Sequence, residues 1–180
     1  TNALEKILNA WYENDERLGT YIAELINYHQ KIIIELFPDK KHPAHFKTDL
    51  LFGELEGYLE SPPSLQYDYD YDQVVSFGEL ISTTIVSEFL AKEGLNCRWF
   101  DVRELVRTDN TWREGKVDWK ITEKQISEKV SAFLDQSEGS PAIALTQGFM
   151  GATPGGDTTT LGREGSDYTA AIFAYALQAD

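Results

Sequence analysis

Apolar residues recur along the chain first at a helical spacing and later in short continuous runs, and this alternation sets the expected elements. Leu4, Ile7, Leu8 and Trp11, then Leu18, Tyr21, Ile22, Leu25 and Ile26, fall on the faces of amphipathic helices. They predict two helices, or one bent helix, with a break near 14–19. A second helical block covers 46–59 and stops before Ser61-Pro62-Pro63, since proline cannot supply a helical N–H. The alternating Tyr and Asp of 67–72 read as an acidic, aromatic surface loop or the lead-in to a helix. Residues 74–90 fit another helix ending at Gly94, and 97–102 have strand character. Residues 108–116 read as a loop, 121–134 as an amphipathic helix, 137–141 as a turn, and 141–146 as a short apolar strand. Helices alternating with short strands imply an α/β fold with a mainly parallel sheet.

Composition narrows the class. The 180 residues, 42% apolar with nine Phe, nine Tyr and four Trp, fit one globular domain. With 16 basic against 30 acidic residues, the net charge of −14 argues against nucleic acid or an anionic membrane as a general partner. An anionic substrate must therefore meet a local positive site. Cys97 is the only cysteine, so no internal disulfide forms, which suits a reducing cytosol. No run reaches the roughly 18 consecutive apolar residues of a membrane helix, and no secretory leader is visible, so a soluble cytoplasmic protein is expected. His42-Pro43-Ala44-His45 has a spacing seen in metal sites, but His29, His42, His45 and Cys97 make no convincing cluster, and a surface turn is the simpler reading. No metal site is expected.

The run from Gly151 to Leu177 combines glycines, hydroxyls, Arg163 and Asp167 ahead of an apolar helix. It reads as strand, glycine-rich loop, helix, an arrangement that brings backbone N–H groups and a helix N-terminus to an anion at the carboxyl end of a strand. It lacks the lysine of a P-loop and the Gly-x-Gly-x-x-Gly of a dinucleotide fold. Thr158-Thr159-Thr160-Leu161-Gly162-Arg163-Glu164-Gly165-Ser166-Asp167-Tyr168 instead resembles the signature of the aspartate kinases, in the amino-acid kinase family. Ser76-Phe77-Gly78-Glu79-Leu80-Ile81-Ser82-Thr83 resembles that family's Gly-Glu substrate segment. Trp99-Phe100-Asp101-Val102-Arg103 resembles the strand and turn after it, and Thr1-Asn2 the end of a Ser-Ala-x-x-Gly-x-Thr-Asn stretch. These anchors span the chain.

The resemblance implies a three-layer α/β/α sandwich, incomplete here. The family's opening Lys-Phe-Gly-Gly element, whose lysine contacts the transferred phosphate, its later nucleotide loops and its ACT domains have no counterpart within 1–180. The expectation is thus a central piece of a catalytic domain, inactive alone. The implied activity is transfer of a phosphoryl group from ATP, with Mg2+, to the β-carboxylate of L-aspartate, the first step toward lysine, threonine and methionine. The nucleotide-binding residues are not assigned.

By the same resemblance Asp167 is the catalytic residue, aligning the attacking carboxylate; Arg163 binds a substrate carboxylate and Ser166 touches the substrate. Glu79 pairs with the α-ammonium, Thr1 offers a hydroxyl, and Gly148 and Phe149 wall the pocket. Four of these have a plainer alternative. Arg163 is also read as a solvated loop arginine, Ser166 as the N-cap of the last helix, and Asp167 and Glu79 as first-turn acids favoured by helix dipoles. Glu164, where the family often has glycine, and Asp157, where it often has a basic residue, add negative charge beside an anion site. The 99–103 and 158–160 stretches look most like the monofunctional lysine-sensitive type. The kinase portion of a bifunctional aspartate kinase/homoserine dehydrogenase and a non-catalytic carboxylate-binding module remain rivals. A homodimer or higher homo-oligomer is expected of the parent.

Overall fold

The structure, a computed structural model, describes residues 1–136 and 141–179, so most of the turn expected at 137–141 lies outside the described residues. The chain forms two compact units, Thr1–Phe89 and Leu90–Asp180.

The first unit is helical: α1 Asn2–Tyr12, α2 Leu18–Leu36, α3 Pro43–Leu59, α4 Tyr67–Val75 and α5 Phe77–Lys92, the last crossing the divide. The expected break between the first two helices is real, and Asn14 turns the chain there with φ of 52°. α1 buries the predicted stripe of Leu4, Ile7, Leu8 and Trp11. The His-Pro-Ala-His segment starts α3: the His42 ring accepts a hydrogen bond from the Ala44 N–H at 3.2 Å, and Pro43 occupies the first turn.

The Tyr-Asp repeat starts the helix α4, and of its three acids only Asp68 is on the surface. Asp70 and Asp72 are buried, at 1% and 0% exposure. Asp70 accepts hydrogen bonds from the Tyr12 hydroxyl, from the Tyr58 hydroxyl at 2.6 Å and from the Ser64 N–H at 2.8 Å. A buried carboxylate persists because donors from three segments satisfy it. The α4–α5 run, Tyr67–Lys92, is long and apolar enough to cross a membrane by length and composition, but half of its most apolar window is buried inside the protein.

The second unit contains β1 Asn96–Phe100, a 3-10 turn Val102–Glu104, and α6 Trp119–Ile126, which runs through a π-helical turn Ser127–Ser131 into α7 Ala132–Asp135. Then follow β2 Ala142–Thr146, β3 Met150–Ala152, β4 Thr158–Thr160 and α8 Gly165–Leu177. β1 and β2 pair in parallel, Asn96 opposite Ala142 through Phe100 opposite Thr146. The expected strand, loop and helix order is incomplete, because the glycine-rich run folds into an antiparallel hairpin of β3 and β4 before α8 begins. Pro154-Gly155-Gly156 makes its turn, with Gly156 at φ of 93°, and the Asp157 N–H donates to Thr153 Oγ1 at 3.2 Å.

Candidate functional site

In the C-terminal unit the geometry around α8 depends on two glycines. A Cβ on Gly148 would fall 2.7 Å from Ser166 Oγ and 3.1 Å from Ser166 Cα; one on Gly165 would fall 2.8 Å from Phe149 Cβ and 3.0 Å from its Cα. Only glycine at both positions lets the Gln147-Gly148-Phe149 segment, at the carboxyl end of β2, lie against the first turn of α8. Phe149 has φ of 55° and is tied at both polar groups: its N–H donates to Thr169 Oγ1 at 2.9 Å, and its carbonyl accepts from the Leu161 N–H at 2.8 Å. Gln147 is fully buried and accepts from the Val102 N–H at 2.8 Å, linking this segment to the turn after β1. A largely apolar cleft of about 390 Å³ opens beside it, lined by Thr146, Gly148, Ser166, Thr169 and Phe173 among others.

The expected N-cap role of Ser166 does not hold. α8 starts at Gly165, its N-cap position is Glu164 at φ of 59° and ψ of 22°, and no side chain caps it. The N–H groups of Ser166 and Asp167 therefore have no hydrogen-bond partner among the described residues, and both side chains are exposed. Unpaired first-turn donors on a helix of 13 residues suit a negatively charged oxygen. Arg163 precedes them with its side chain 95% exposed; its contact with Glu164, at 4.0 Å, leaves the guanidinium available to a ligand.

The three threonines of the signature have a different role. Thr158, Thr159 and Thr160 are buried, and Thr159 Oγ1 lies 2.6 Å from Thr108 Oγ1. Gly151, expected to open an anion loop, instead packs in β3, where a Cβ would fall 2.7 Å from the Val106 carbonyl. The two strands of this hairpin are thus buried packing elements. The signal for this hairpin was in the sequence: the turn residues Pro154-Gly155-Gly156, followed closely by the three β-branched residues Thr158-Thr159-Thr160.

In the N-terminal unit Thr1 and Glu79 line one cleft of about 320 Å³, together with Leu25, Tyr28, His29 and Gly78. A Cβ on Gly78 would fall 3.2 Å from Leu4 Cδ1, so this glycine keeps the wall close. Glu79 lies half-buried in the first turn of α5, and its carboxylate has no hydrogen-bond or ion-pair partner among the described residues. Predicted site residues thus gather in two groups, Thr1 with Glu79 in one unit and Gly148, Phe149, Arg163, Ser166 and Asp167 in the other. Among the described residues no three His, Cys, Asp or Glu side chains converge on a possible metal position.

The profile of the Amino acid kinase family matches residues 12–180. The chain belongs to the amino acid kinase family. It is 39% identical over 108 residues to lysine-sensitive aspartokinase 3 of Escherichia coli, covering 60% of this chain and 23% of that protein. It is 35% identical over 109 residues to the chloroplastic bifunctional aspartokinase/homoserine dehydrogenase 2 of Arabidopsis thaliana, covering 60% of this chain and 11% of that one. The structure of E. coli aspartokinase III with lysine and aspartate (T-state) matches with a TM-score of 0.84 at 28% identity, over 98% of this chain and 38% of that chain. Its R-state, with aspartate and ADP, matches at 0.83. The fold is accordingly the α/β fold of the amino acid kinases, here with a short parallel sheet. The chain spans about a quarter or less of the length of these two curated relatives.

Proposed function

We propose that this chain serves an aspartate kinase, which transfers the γ-phosphoryl group of ATP to the β-carboxylate of L-aspartate and yields 4-phospho-L-aspartate. The observation that carries the reading is the first turn of α8: unpaired N–H groups at Ser166 and Asp167, with exposed Arg163 just before them, in a chain that matches an aspartate-bound aspartokinase along 98% of its length.

Arg163 then holds a substrate carboxylate through its planar guanidinium, with the Ser166 hydroxyl and the helix N–H groups as neutral donors. Phe149 and Gly148 form the wall that their close contact with α8 creates. Asp167 orients the attacking carboxylate. That oxygen is already ionised near neutral pH, so positioning and charge compensation matter more than proton removal. Glu79, with Thr1 in its cleft, pairs with the substrate's α-ammonium, and its unpartnered carboxylate supports that role. Mg2+ enters only as the companion of ATP. The 180-residue chain by itself has no turnover in this reading, and the functional protein is a cytoplasmic homo-oligomer.

Steady-state kinetics of the full-length protein test the proposal. Asp167→Asn lowers kcat far more than it raises KM for aspartate, whereas Arg163→Ala impairs the use of aspartate in KM as well. Wild-type behaviour of Arg163→Ala removes the loop from substrate binding. Glu79→Gln narrows the preference for L-aspartate over succinate, which lacks the ammonium; an unchanged ratio leaves Glu79 an ordinary first-turn acid.

A further inference from the structure

His29 lines the same cleft as Glu79, and the aspartate kinase reading leaves it without a role. It sits on α2, where its Nδ1 lies 2.8 Å from the Leu25 carbonyl one turn back. A carbonyl can only accept, so Nδ1 carries the hydrogen and, in the neutral ring, Nε2 is left as an acceptor. The ring is held from two sides, edge-on to Tyr28 with centroids 5.2 Å apart and tilted against Phe52 at 5.9 Å. Nε2 has no hydrogen-bond partner among the described residues. The cleft thus presents two acceptors without donors: a half-buried carboxylate and an imidazole nitrogen whose tautomer is set by its neighbour.

A carboxylate alone attracts any cation of suitable size. A carboxylate beside a fixed neutral acceptor favours a cation with several N–H groups, which a primary ammonium has and an alkylated amine has in smaller number. Resting on the assignment of Glu79 to the substrate's α-ammonium, we propose that His29 is the second acceptor for that ammonium, and that it confers preference for a primary over an N-alkylated amino acid. Glu79 supplies the opposite charge, and His29 supplies direction.

The test is NMR titration of the 180-residue chain with L-aspartate, N-methyl-L-aspartate and succinate, for wild type, His29→Phe, His29→Gln and Glu79→Gln. The phenylalanine keeps an aromatic ring between Tyr28 and Phe52 but has no acceptor, and the glutamine amide oxygen restores one. Wild type should show L-aspartate shifting the His29 ring protons and binding more tightly than N-methyl-L-aspartate. In His29→Phe, affinity for L-aspartate should fall about tenfold, the worth of one hydrogen bond to a charged group, and the preference over the N-methyl compound should shrink. His29→Gln should recover part of both. If Glu79→Gln weakens L-aspartate while His29→Phe leaves affinity and preference unchanged, the inference about His29 falls and the function stands. If L-aspartate and succinate act alike on wild type, the role of Glu79 and the inference fall together. Should His29→Phe fail to fold, His29 ring protons unmoved by L-aspartate in wild type overturn the inference.

Discussion

Substituting Gly165 by alanine places a methyl group where the structure has no room for one. The new Cβ would lie 2.8 Å from Phe149 Cβ, 3.0 Å from Phe149 Cα and 3.3 Å from Leu161 Cβ. Two of these neighbours belong to a residue that cannot simply retreat. Phe149 is fastened through its N–H to Thr169 Oγ1 and through its carbonyl to the Leu161 N–H, so withdrawal stretches a hydrogen bond worth about 1 kcal/mol. Overpacking of this kind costs about 1–3 kcal/mol. The helix-propensity gain of alanine over glycine, at most about 1 kcal/mol, is only partly realised at the first residue of α8. The net expectation is a loss of about 1–3 kcal/mol.

Gly57 is the control. It lies exposed within α3, and a Cβ added there would meet nothing within 4 Å, so Gly57→Ala should gain up to about 1 kcal/mol. Urea unfolding followed by tryptophan fluorescence suits the comparison, because Trp99, Trp112 and Trp119 all lie in the C-terminal unit with Gly165. Circular dichroism follows the helical N-terminal unit in parallel. A Gly165→Ala variant as stable as wild type, with the Phe149 amide resonance unmoved, would refute the close-contact argument for this site.

Two further outcomes follow from backbone conformation and from half-buried phenols. Glu164→Gly should stabilise the C-terminal unit by about 1 kcal/mol, since Glu164 holds φ of 59° and its contact with Arg163 is too exposed to offset that strain; an unchanged urea midpoint would contradict this. Burial and the neighbouring Asp70 carboxylate push the Tyr12 hydroxyl up to about 12 and raise Tyr58 as well. A pKa raised on folding means that between about pH 10 and 12 the unfolded chain loses phenolic protons the folded chain keeps. Stability is therefore fully present below pH 10 and declines as pH rises through this window. Phenolate absorbance should show two tyrosines ionising late in the folded protein, and Asp70→Asn should advance both; all tyrosines titrating together near pH 10 would count against the buried network.

Much of the architecture was legible because it rests on local chemistry. The stripe from Leu4 to Trp11, the stop at Pro62-Pro63, and the strands before 100 and 146 follow from side-chain period and from proline's missing donor, both carried by neighbouring residues. The motif from Thr158 to Tyr168 also marked the segment that places Arg163, Ser166 and Asp167 at a helix start. The hairpin of β3 and β4 was missed for a reason of weighting: glycines that permit ligand approach also permit tight turns and close packing, and Gly151 and Gly156 serve the latter two.

Composition and short-range order by themselves determined the class of elements and the net acidic charge. Tertiary structure decided which of those residues are satisfied and which are left available. Asp70, in an acidic repeat, is fully engaged by Tyr12, Tyr58 and Ser64, while the Glu79 carboxylate, in an ordinary first turn, has no partner among the described residues. Ser166 caps nothing because the chain turns two residues earlier, at Glu164. Whether a polar group is occupied depends on donors and acceptors brought from distant positions. That information resides in packing, and no window along the chain contains it.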